Sequence, residues 1–94
     1  MKVRVHYTAQ LRAALGCGEE EIELPEGSTL EGLVQSLAER NGSGARFHLT
    51  TVNGDVLTSM LMVVNDEAKT SRDAAATVLC PGDVVVLLPP IAGG

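Results

Sequence analysis

Only one stretch of this chain carries the apolar spacing of a full-length helix. Leu30, Leu33, Val34, Leu37 and Ala38 recur three and four residues apart and draw one stripe along a helix surface. Ser28-Thr29-Leu30-Glu31 before them has the capping-box form, with the Ser28 hydroxyl placed to accept the Glu31 amide. Asn41-Gly42 supplies the stop. The spacing predicts a helix over residues 28–41, with Gly32 inside it leaving room for a neighbouring backbone. A single helix can cover one face of one sheet, which predicts a two-layer α+β fold.

The rest of the regular pattern reads as strands. Val3, Val5 and Tyr7 alternate with Lys2, Arg4 and His6, the period of a strand with one buried face. Residues 10–15 read as a short helical turn, and Gly16-Cys17-Gly18 as a break. A second strand over 20–24, with Ile22 and Leu24 inward, ends at Pro25-Glu26-Gly27 and pairs back antiparallel. Residues 43–59 show no clear pattern, although Asn53-Gly54-Asp55 signals a turn at either a hairpin tip or a plain loop. Residues 60–64 are all apolar and read as a buried strand; Asn65-Asp66 turns it into a short return strand over 67–70. Residues 70–80 mix helix-forming alanines with strand-forming Thr77-Val78-Leu79. After Pro81-Gly82-Asp83, Val84-Val85-Val86-Leu87-Leu88 is the most strand-like run in the chain. The valines of the first and last strands suit the centre of the sheet. A ferredoxin-like arrangement is the alternative; it needs a second amphipathic helix of similar length, for which residues 70–79 are the one candidate.

Ninety-four residues suit one domain over 1–94, with a flexible tail over 89–94. Seven Lys and Arg against twelve Asp and Glu give a net charge of −5, which repels a phosphate backbone. One Tyr, one Phe and no Trp leave nothing on which single-stranded bases stack. Nucleic acid is therefore excluded as an expected partner. The first seven residues alternate polar and apolar, unlike a signal peptide, and no run approaches the ~20 apolar residues of a membrane span. A cytoplasmic protein with Cys17 and Cys80 as reduced thiols is the expectation.

Few side chains suggest chemistry. His6 and His48 have no partner at metal-ligand spacing, so no metal site is expected. Cys17 lacks a flanking cation to activate it, Cys80 reads as a small apolar filler, and Glu19-Glu20-Glu21 as solvated charge. The end of the chain differs. Pro89-Pro90 stiffens the exit from the last strand, and the side chains then shrink through Ile91 and Ala92 to Gly93-Gly94. Six extended residues reach about 20 Å, and two glycines fit a narrow tunnel in another protein. The group delivered there is the α-carboxylate of Gly94. A carboxylate with a pKa of about 3.3–3.7 is ionised and a poor acyl donor. Converted to an acyl-adenylate, it becomes open to attack by a sulfur nucleophile or an amine. The plainer reading of the same residues is a frayed terminus.

Several blocks bear a family resemblance: Tyr7-Thr8-Ala9-Gln10-Leu11-Arg12, the Gly16 break, the helix entry over 25–37, Val64-Asn65, Pro81-Gly82-Asp83-Val84-Val85 and the closing Pro89-Pro90-Ile91-Ala92-Gly93-Gly94. Together the chain resembles the ubiquitin-like β-grasp sulfur carriers (MoaD/ThiS-like), above all the small subunit of molybdopterin synthase. The resemblance implies a mixed sheet with first and last strands parallel and the helix across one face. It implies that Gly94 is adenylated by an adenylyltransferase similar to ubiquitin-activating enzymes, with ATP and Mg²⁺ used by that partner and no cofactor held by this chain. A sulfur donor protein then converts Gly94 to a thiocarboxylate. The tail of Pro89, Pro90, Ile91, Ala92 and Gly93 inserts into the synthase's large subunit, where the sulfur passes to a pterin precursor. The chain is then no enzyme on its own. Asn65-Asp66-Glu67 and Ile91-Ala92 also look like a cysteine-pathway carrier, and carriers for thiamine and ubiquitin-like modifiers remain alternatives. An apolar sheet surface near the tail is expected; the direction of each residue in 84–88 stays open.

Overall fold

The computed structural model describes residues 1–40, 48–51 and 53–89. The elements run β1 (Lys2–Tyr7), α1 (Ala9–Leu15), β2 (Glu19–Glu23), α2 (Leu30–Arg40), β3 (Leu61–Val64), β4 (Glu67–Lys69), α3 (Ser71–Ala74) and β5 (Val84–Leu88). The strands form one mixed sheet in the order β2-β1-β5-β3-β4. The first and last strands are parallel, with Arg4 opposite Val84 and Tyr7 opposite Leu87. β2 lies antiparallel to β1, and β3 antiparallel to β5. The β-branched runs thus take the protected middle and the charged strands β2 and β4 take the edges, where Glu and Lys discourage further pairing.

The core lies between the sheet and α2. Leu30, Leu33, Val34, Leu37 and Ala38 meet Val3, Val5, Tyr7, Ile22, Met62, Val64, Val85 and Leu87, all buried. With hardly an aromatic available, branched aliphatics and methionines fill this layer. Residues expected to be a wholly buried run over 60–64 instead alternate: Met60, Met62 and Val64 face the helix, whereas Leu61 is 43% exposed. The ferredoxin-like alternative is excluded among the described residues, where α2 has no second helix of similar length.

The helix entry departs from the capping-box reading. The Ser28 hydroxyl donates to the Pro25 carbonyl (2.7 Å), and the Thr29 hydroxyl accepts the Gly32 amide (3.1 Å), so Thr29 is the cap. The cause is tertiary. The amide of Leu79 bonds the Ser28 carbonyl and that of Leu30 bonds the Thr77 carbonyl, each at 2.9 Å, which holds 28–29 extended against 77–79. The helix accordingly starts at Leu30 and ends, among described residues, at Arg40; the expected Asn41-Gly42 stop lies outside them. Among the described residues no backbone presses against Gly32: an added Cβ would touch the Thr29 hydroxyl at 3.5 Å.

The ambiguous segments also resolve. Thr51 and Asp55 are bonded at 2.7 Å and Thr50 bridges Val56, so Asn53-Gly54 sits at a hairpin tip. Residues 71–74 form the short α3, and Val78 bridges Thr29. Asn65 and Asp66 take positive φ (49° and 72°), as their turn requires. Ala9 does so as well, at φ 49°, in the step from β1 into α1. A left-handed alanine costs about 1–2 kcal/mol and glycine's extra chain entropy about 0.5–1. Ala9→Gly is therefore expected to stabilise the protein by about 0.5–1 kcal/mol in urea denaturation. A loss of stability would show that Ala9 is not strained.

Candidate functional site

β5 is held on both sides, and its ladder runs to the last rung before the tail. Leu87 pairs with Tyr7 of β1, and Leu88 with Leu61 of β3. The Thr8 hydroxyl adds a bond to the Leu87 carbonyl at 3.0 Å. Pro89, expected within the tail, is buried, so the folded body includes it. As proline it offers no amide to the ladder and fixes its own φ. The chain therefore departs the sheet from its central strand at a firmly held root. Pro90, Ile91, Ala92, Gly93 and Gly94, the other expected site residues, lie outside the described residues.

Below that root lies the sheet face turned away from α2. Val85 and Leu87 are buried toward the helix, which turns Val84, Val86 and Leu88 to the other side. Register puts Val63 opposite Val86, Leu61 opposite Leu88 and Ala68 opposite Val63. None of these six is buried, and Leu61 and Val84 are 43% and 36% exposed. The apolar surface expected near the tail is thus present, and the register settles which residues of 84–88 form it. Contiguous exposed aliphatics of this kind mark contact surfaces.

Charge borders the apolar strip. Lys2, Arg4 and His6 stand in the next column on β1, and Glu19 and Glu21 beyond them on β2. Arg4 bonds Glu19 at 3.1 Å, His6 Nε2 lies 3.6 Å from the same carboxylate, and Lys2 lies 3.8 Å from Glu21. These pairs are half-exposed, so each adds little stability. Glu19 and Glu21 are solvated as expected; Glu20, expected to be so, turns inward instead. Arg40 at the end of α2 pairs with it at 2.9 Å, and the Cys17 thiol donates to it at 3.4 Å. Burial and that bond push the thiol's pKa up, against the weaker pull of Arg40, so Cys17 is held as a thiol. The phenol of Tyr7 lies near the same carboxylate in buried surroundings. Burial first, then the charge of Glu20, holds its pKa above the ordinary value.

Cys17 and Cys80 are free thiols, Cys80 exposed. His6 meets Glu19 on the face away from α2, whereas Cys17 packs against the core and bonds Glu20, and no group of three metal-ligating side chains occurs among the described residues. No helix of the described residues is long and apolar enough to cross a membrane. The sequence reading missed the Thr8–Leu87 bond and the inward turn of Glu20. A threonine after a strand carries no local sign that its hydroxyl bonds a carbonyl 79 residues away.

The sequence model of the ThiS family matches residues 5–94. No curated protein sequence matches the chain at a significant level. A Pyrococcus furiosus protein assigned as molybdopterin converting factor, subunit 1, is similar at 30% identity and a TM-score of 0.74, over 97% of this chain and 99% of its own. SAMP1 of Haloferax volcanii superposes with a TM-score of 0.84 at 18% identity, over 100% of both chains. A chain of the Amycolatopsis orientalis BexX/CysO complex does so with a TM-score of 0.66 at 24% identity, over 98% of this chain and 99% of its own. The last two speak for the fold alone, the ubiquitin-like β-grasp.

Proposed function

The chain belongs to the ThiS family of ubiquitin-like sulfur carriers, and from that premise we propose that it carries sulfur as a thiocarboxylate on Gly94 for molybdopterin synthesis. The observation that carries the proposal is the tail root: a central strand, flanked on both sides, that ends in Leu88-Pro89 directly above an open apolar face. A folded body of this kind docks, and a short appendage without side-chain bulk delivers its end group.

The chemistry is acyl transfer. The Gly94 carboxylate attacks the α-phosphorus of ATP, pyrophosphate leaves, and an acyl-adenylate forms on the activating adenylyltransferase, which uses Mg²⁺. A sulfur nucleophile from the donor protein then displaces AMP. Where that sulfur arrives as a persulfide, a thiol reductant cleaves the resulting acyl disulfide and leaves the thiocarboxylate. Pro89, Pro90, Ile91, Ala92 and Gly93 carry this group into the large subunit of molybdopterin synthase, where a pterin precursor takes the sulfur. Acid–base side chains belong to the partners, and this chain is no enzyme on its own. The 30% identity to the Pyrococcus furiosus protein favours the pterin acceptor. A carrier for cysteine or thiamine, or a modifier joined to lysines, uses the same activated glycine.

Intact mass of the protein from its native cells tests the reading. A fraction with one oxygen replaced by sulfur is expected, together with loss of molybdoenzyme activity in a deletion strain. Isopeptide-linked adducts would point to a modifier, and rescue of growth by cysteine or thiamine to the other carriers. An unmodified mass under sulfur-replete conditions would count against every carrier reading.

A further inference from the structure

We propose that Thr8 is a positioning residue for this transfer: its hydroxyl clamps the Leu87 carbonyl and sets the direction in which the chain leaves the sheet. The proposal rests on the carrier reading above. Thr8 occupies the cap position of α1, with extended backbone (φ −123°, ψ 161°). A threonine there ordinarily accepts an amide of the first helical turn. This one makes no such bond. It donates instead to Leu87, on the last rung of the β1–β5 ladder.

Two further features lie at the same spot. Ala9, the next residue, holds the left-handed φ of 49° that alanine resists. Strain of this kind persists where the surroundings impose it, and it concentrates at sites of function. On the other side of the clamp, Leu88 precedes a proline and is confined to extended conformations, and Pro89 is fixed in φ and buried. Few soft dihedrals separate Leu87 from the second proline. A change of direction at Leu87 is therefore passed outward to the second proline and not absorbed before it. A swing of about 10° there would move a point three extended residues onward, roughly 10 Å away, by about 2 Å. Misplacing a reacting group by about 1 Å can cost on the order of 10²-fold in rate. The helix forgoes its cap and tolerates a strained alanine, and Leu87 and Pro89 at the root of the tail are held in place.

ATP–pyrophosphate exchange catalysed by the cognate adenylyltransferase tests the clamp, with the full-length chain as substrate. Thr8→Val keeps the shape and removes the donor; Thr8→Ser restores it. Because the docking face is untouched, Thr8→Val is expected to lower kcat about tenfold and leave KM within about twofold, with Thr8→Ser near wild type. Melting temperatures are recorded alongside, and Thr8→Ala serves if Thr8→Val does not fold. Equal kcat for wild type and the donor-less variant overturns the clamp alone. So does a loss that follows the melting temperature and is not rescued by serine. Absence of exchange with the wild-type chain overturns the carrier reading, and the clamp with it.

Discussion

Removing Gly94 is expected to abolish adenylation while the folded body melts as before. The deletion leaves a glycine carboxylate at the new end, so the chemistry of the group is unchanged and only its reach differs, by about 3.3–3.6 Å. Near-attack geometry requires reacting atoms about 3–3.5 Å apart, which makes one residue decisive. A loss of at least about 10²-fold in pyrophosphate exchange is expected, with no thiocarboxylate in the intact mass. Adding one alanine after Gly94 is expected to do the same, by overreach and by introducing a Cβ. The core that sets stability, from Val3 to Leu87, is untouched by either change. The thermal midpoint should therefore move by no more than about 2–4 °C, the range of a surface change. Normal exchange by either variant would mean that the terminus is not where the acyl group is activated.

What the sequence disclosed and what it hid follow one division. Local periodicity was enough for β1, because Val3, Val5 and Tyr7 alternate with charged residues and leave no doubt about which side is buried. It was enough for the stripe of α2, and for the turns at Asn65-Asp66 and Gly82, where backbone chemistry dictates the conformation. It failed at residues 84–88. A run of five aliphatic residues has no period, and a strand covered on both faces reads the same as one whose outer face awaits a partner. Only the pairing of Val84 with Arg4 and of Val86 with His6 turns those two residues outward. It failed again at Ser28-Thr29, where a capping-box pattern yielded to pairing with residues 77–79. The tail is legible in the order of its residues, two prolines and then side chains shrinking to two glycines, whereas the clamp at its root joins positions 8 and 87, a contact that exists only once β1 and β5 lie side by side.

Replacing Leu61 with glutamate is expected to separate docking from folding. Leu61 stands beside Leu88 at the rung nearest the tail, on the face away from α2, and is already 43% exposed. A carboxylate there keeps its water in the free protein. Stability should therefore change by less than about 0.5 kcal/mol, as at other surface sites. In a complex the same group would be trapped against apolar surface without a partner, which costs several kcal/mol unless it is neutralised. Central positions in an interface dominate affinity, and a loss of about 2.7 kcal/mol corresponds to about 100-fold in Kd. Titration calorimetry against the adenylyltransferase and against the synthase large subunit should show that loss in Leu61→Glu. Ser36→Glu, on the exposed side of α2, should bind as wild type does. If Leu61→Glu binds both partners normally, the apolar strip is not the docking face and the tail alone must supply recognition. If it loses one partner and keeps the other, the two partners use different parts of the sheet, and the order of activation and delivery need not require the carrier to let go of one before meeting the next.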